Sequence, residues 1–177
     1  NSLFGISLIT TILYWFSLTI PEIWLFAKTS VIGSISINFI ILGILTTRWI
    51  ISGYFPLSNL YESLLFLTWC LSTIQIFGEY KTNSKIIGSL ICPICLLLIG
   101  FSTLILPIEM QKITPLVPAL QSNWLMLHVS MMMLSYATLI LGSLFSTLFL
   151  LIVYLANWSK TNEINNQQTL ITNANSL

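Results

Sequence analysis

Residues 124–156 read WLMLHVSMMMLSYATLILGSLFSTLFLLIVYLA, thirty-three consecutive positions without one Lys, Arg, Asp or Glu. As a helix this stretch is roughly 50 Å long at 1.5 Å per residue, against roughly 30 Å for the hydrocarbon core of a bilayer. It therefore predicts a membrane-crossing helix that tilts strongly or projects into water. Neither this stretch nor any other apolar one shows the ten-residue dyad alternation of a transmembrane β-barrel. What remains is an all-α, polytopic membrane protein, because only helices or closed barrels satisfy the backbone in lipid.

Working outward, four further apolar stretches are long enough to span: 3–20, 31–52, 60–77 and 86–106. Each has a stop signal after it: Pro21-Glu22, Gly53, Gly78-Glu79 and Pro107. The reading is a helical membrane domain of five spans over 1–156, followed by a polar segment, 157–177. That segment is Asn-rich, without an apolar face, and is expected to be a flexible loop or tail. Nothing resembles a cleavable signal. The chain begins at Asn1, and both ends read as cuts in a longer protein.

Composition agrees. Of 177 residues, 56% are apolar and 6% charged, where a soluble domain carries roughly a quarter charged. Mean hydropathy is +0.93. A soluble enzyme is excluded, and a formal charge of +1 excludes an electrostatic nucleic-acid binder. Three cysteines are too few for a disulfide scaffold. With five spans, Lys28, Lys81, Lys85 and Lys160 share one side, and Arg48 and Lys112 the other. The positive-inside rule assigns the Lys160 side to cytoplasm or stroma, and Pro56 and Pro115 to the outer compartment.

Three places carry candidate chemistry. His128, the only histidine, lies one turn inside the last span near the outer face. An ionisable side chain within a span is a functional candidate. Gln121, Trp124, His128, Ser135, Gly142 and Ser146 fall within about 40° of one meridian at helical spacing. Small and polar residues on one stripe mark a helix-packing face, so His128 is expected to point into the bundle. It is either a packing histidine or a metal or haem ligand. The neighbouring Met131, Met132 and Met133 are gap-filling core or a thioether ligand. At 56–63, PLSNLYES, Asn59 followed by Glu62 is a capping pattern at the start of the third span. Arg48 closes the second span on the same side and is expected to pair with Glu62 or to lie beside a haem propionate. The third place is Cys92-Pro93-Ile94-Cys95, a redox dithiol or simply two small buried residues. It is no haem-attachment site, since Leu96 follows the second Cys where His is needed.

The run LVPALQSNWLMLHVSMM at 116–132, with Trp49 and PLSNLYES at 56–63, resembles the CcsA-type cytochrome c biogenesis family, most closely its plastid-encoded members. The resemblance implies a haem-handling membrane protein of the haem-attachment (haem lyase or synthetase) complex. It would work with a CcsB-type partner and apocytochrome c, in the thylakoid membrane or a bacterial inner membrane. It also implies that His128 is an axial ligand to haem iron, the first of two outer-face histidines flanking a Trp-rich loop, with Trp124 and Arg48 as haem surroundings. That loop carries an Asp, which this chain lacks, and the second histidine is absent too. The likeness therefore covers roughly the amino-terminal half of a family member. Two rival functions stand beside it: a membrane thiol-disulfide carrier using Cys92 and Cys95, and a non-catalytic subunit of an organellar membrane complex.

Overall fold

A computed structural model describes residues 2–19, 24–53, 55–112 and 123–175, and every regular element among them is helical. The helices are α1 (Ser2–Thr19), α2 (Trp24–Ser52), α3 (Leu60–Thr82), α4 (Ile86–Gly100), α5 (Ile108–Gln111) and α6 (Asn123–Asn175). Five stretches are long and apolar enough to cross a membrane: Ser2–Thr19, Leu25–Ser52, Leu60–Thr82, Ile86–Ile105 and Trp124–Asn162. The chain is a multi-pass helical membrane protein.

Local chemistry accounts for the helix ends. Asn59 is extended (φ −139°, ψ 169°), and its side chain accepts from the Glu62 amide at 2.9 Å, capping α3. Gly53 (φ 74°) follows α2 in the left-handed conformation, its N–H donating to the Trp49 carbonyl at 2.9 Å. At the far end of α3, Asn83 adopts the same conformation (φ 52°). α4 tolerates Pro93 in its interior and then widens into a π-turn over Phe101–Ile105. The Leu106 N–H donates to the Phe101 carbonyl at 3.1 Å to close that turn, and Pro107 ends it.

Some boundaries differ from those expected. α2 starts seven residues earlier than position 31, taking Lys28 into the helix, and α3 runs through Gly78-Glu79 to Thr82. α6 continues through the segment expected to be a loop or tail, as far as Asn175. Between Ser143 and Asn175 there is neither Gly nor Pro to break it, and Asn, Gln and Thr weaken a helix without ending it. The stop at Pro21-Glu22 and the loop around Pro115 lie outside the described residues.

The chain divides into two compact units, Asn1–Leu139 and Ile140–Leu177. The second is the continuation of α6. In the first, α1 packs on α2 and α4, and α3 packs on the same two, so α1 to α4 close a ring around one core. Tyr14, Ile41, Leu65, Leu71, Ile91 and Ile99 are its largest fully buried apolar and aromatic side chains. Hydroxyls and amides tie the helices together, as expected where lipid offers no hydrophobic drive for association. The Asn38 amide of α2 donates to Ser72 Oγ and Thr73 Oγ1 of α3, each at 2.8 Å. The four helices run alternately up and down, so the bundle has two polar ends: one at the α2–α3 loop, one at the α3–α4 loop.

Candidate functional site

At the α2–α3 loop end, Arg48 stands in the last turns of α2. Its Nη1 donates to Glu62 Oε1 at 3.1 Å and its Nη2 to the Gln111 carbonyl at 2.8 Å. Its guanidinium lies 4.5 Å over the Tyr61 ring. Glu62 is 1% exposed, and its second oxygen accepts from the Ser58 amide (2.9 Å) and hydroxyl (2.7 Å). A buried carboxylate is tolerable only when so satisfied. The expected capping pattern and the Arg48–Glu62 pair are both present, with one shift of register: Glu62 reaches back to Ser58 and not to the Asn59 amide. Trp49 packs edge-on to Phe55 at 5.2 Å, and Phe55 in turn on Phe66 at 5.8 Å. With its guanidinium committed to Glu62, Gln111 and Tyr61, Arg48 is a structural anchor in this arrangement.

His128 sits in the second turn of α6, one turn after Trp124, and both side chains are exposed. So are Ser135, Gly142 and Ser146; Gln121 lies outside the described residues. This corrects the expectation that the stripe faces the bundle and that His128 points into it. Ala137, fully buried, is on another face of the helix. Small and polar residues permit close packing without commanding it, so they do not choose which face is covered. Met131 and Met132 are exposed as well, so they do not fill a core here.

Chemically, His128 fits an axial haem ligand. It is an imidazole with open surroundings, and it makes no hydrogen bond or ion pair with the described residues. Among the described residues no three His, Cys, Asp or Glu gather into a metal cluster, so His128 supplies a single ligand.

Cys92 and Cys95 are buried inside the bundle at 4% exposure each, and both are free thiols, as is Cys70. Cys92 Sγ accepts from Gln75 Nε2 at 3.5 Å. Thiol exchange requires a thiol that a partner can reach, and these are enclosed by helix packing.

Around Cys92, at the α3–α4 loop end, lies a cluster that sequence reading missed. Tyr14 Oη of α1 donates to Glu79 Oε2 of α3 at 3.0 Å, and Gln75 Nε2 donates to Tyr14 Oη at 3.2 Å. Ser34 of α2 is 3.3 Å from the same hydroxyl, and Lys85 Nζ is 3.9 Å from Glu79 Oε2. The available signal was Gln75 and Glu79 at i, i+4 within a span, an amide and a carboxyl on one helix face.

Helical spans, a capped third helix and a lone histidine at the head of the last span together describe a polytopic membrane protein with one candidate iron ligand. The sequence profile of the family described as cytochrome C assembly protein matches residues 57–176. The chain belongs to that family. It is 56% identical to the cytochrome c biogenesis protein CcsA of Trieres chinensis, over 86% of this chain and 49% of the relative. The CcsA of Pyropia yezoensis is 52% identical (86% and 48%), and that of Synechocystis sp. 45% identical (86% and 45%). The chain spans about half the length of the curated relatives it matches. No solved structure matches it.

Proposed function

We propose that the complete gene product handles haem during c-type cytochrome maturation, with His128 as an axial ligand to the haem iron at the outer, lumenal face of a plastid thylakoid membrane. The observation that carries this reading is the open imidazole at the head of a membrane-crossing helix, in a chain of the cytochrome C assembly family. Haem is the cargo, held for attachment to apocytochrome c, with a CcsB-type protein as partner.

The chain's own contribution is binding and orientation. His128 offers an imidazole nitrogen from a helix, a rigid support that fixes where the ligated iron sits. Trp124, one turn earlier, offers an apolar ring beside it. The attachment itself adds each apocytochrome S–H across a haem vinyl group. A C–S and a C–H bond form, the vinyl π bond is lost, and no external oxidant is consumed. That chemistry belongs to the haem and the thiols, while the protein holds and orients them. Arg48 and Glu62 keep the outer end of the bundle in shape.

Replacement of His128 by Gly in the complete gene product is the test. Haem retained through purification falls, and added imidazole restores part of it by filling the vacated coordination position. Haem content equal to that of the unaltered protein overturns the ligand role.

A further inference from the structure

α5 is a single turn, too short to hold itself by its own hydrogen bonds. Its last carbonyls have no helical partners, as at any helix end. The structure supplies partners from elsewhere. The Gln111 carbonyl accepts from Arg48 Nη2 of α2 at 2.8 Å, and the Lys112 carbonyl accepts from Asn59 Nδ2 at 2.9 Å. Gln111 Nε2 also donates back to the Leu106 carbonyl at 2.8 Å, cinching 106–111. Both outside donors are themselves immobilised. Arg48 is held by buried Glu62, and Asn59 by its capping bond to the Glu62 amide. Glu62 is thus the hub: its carboxylate locks Arg48, and its amide locks Asn59. Two consecutive carbonyls are pinned, with ten residues of chain between Lys112 and the start of α6.

We propose that Arg48, Asn59 and Glu62 are positioning residues for haem ligation: they clasp the 106–112 segment and thereby fix the point from which the chain leads to the His128 helix. The inference rests on the haem-ligand reading above. It gives one cluster three tasks that only these residue types perform together. A guanidinium bonds the carboxylate and the carbonyl through two separate nitrogens in a fixed fork, where an ammonium has one nitrogen. An asparagine accepts for the helix cap and donates to the clasped carbonyl.

Asn59→Asp separates these tasks, since aspartate keeps the cap acceptor and loses the donor to Lys112. In the complete gene product, N59D leaves folded yield and melting temperature unchanged. It lowers haem affinity about threefold, less than the roughly tenfold for a group bonded directly to a ligating histidine, because Asn59 acts only through the chain. The low-spin haem spectrum shifts, and imidazole restores it. R48K keeps a charge beside Glu62 but loses the second arm and the stacking on Tyr61; it shifts the haem spectrum in the same way, with a lower melting temperature besides. A merely structural role would move yield or melting temperature and leave the spectrum of the surviving protein as it was, which overturns the proposal. If His128→Gly loses haem while N59D keeps wild-type content and spectrum, the clasp fails and the ligand reading stands. If His128→Gly keeps its haem, the ligand reading fails, and the proposed role in ligation with it. Spin labels at positions 57 and 110 then test the clasp as a purely structural tie: a distance distribution broadened by N59D upholds that tie, and an unchanged one removes it as well.

Discussion

A methyl group at position 88 has nowhere to go. A Cβ there meets the Glu79 carboxylate and the Tyr14 ring, so the backbone of α4 lies directly against a polar pair from two other helices. Overpacking of this kind costs about 1–3 kcal/mol when neighbours cannot retreat. Tyr14 is fully buried and Glu79 nearly so, which leaves them little freedom. Gly88→Ala is therefore expected to lower stability by about that amount in a detergent unfolding titration. Gly43→Ala, where nothing lies within 4 Å, is the control and should change it little. Equal stability of both variants would dismiss the packing argument. In sequence Gly88 is one glycine among eight, and nothing local sets it apart. The capping role of Asn59 was legible, because it depends on a residue three positions away.

Helix α4 shows how an element can look chemical and be structural. Pro93 removes one backbone donor, and the following π-turn leaves the ladder out of register near its C-terminal end. The two thiols flanking the proline are turned inward, one against Gln75. A membrane-permeant maleimide is accordingly expected to leave Cys70, Cys92 and Cys95 unlabelled in native membranes and to label all three after unfolding in SDS. Rapid native labelling of Cys92 or Cys95 would restore the case for a thiol carrier. Spacing alone left that case open, since C-x-x-C describes both a redox pair and two residues on one buried helix face. α6 was half legible: its apolar length was plain, while its continuation to Asn175 depends on the absence of a breaker in a polar stretch.

Across the described residues, the alternation of helices places Gly53, residues 55–59 and Lys112 at one end of the bundle and the turn at 83–85 at the other. The positive-inside rule predicts that the first end faces outward. Single cysteines at Lys112 and Thr82, both exposed, test this in sealed vesicles. An impermeant thiol reagent should reach position 112 from the outer side and position 82 only from the inner side. Labelling of both from one side would break the five-span alternation, and the reverse pattern would invert the orientation. With inversion His128 would leave the lumenal face, and haem ligation there would go with it.

Class and span number were determined by the residues alone. Partition into a bilayer depends on how many apolar positions follow one another, and that is counted along the chain. The Asn59 cap and the stops at Gly53 and Pro107 were legible for the same reason, since their partners lie within a turn, whereas Gly78-Glu79 did not stop α3. What the chain could not disclose by itself were the meetings of distant residues. Tyr14 finds Glu79 across 65 positions, and Arg48 finds the Gln111 carbonyl across 63. Nor did it disclose that the His128 stripe of α6 is exposed. A helix offers every face equally, and only the neighbours that arrive in three dimensions decide which one is covered.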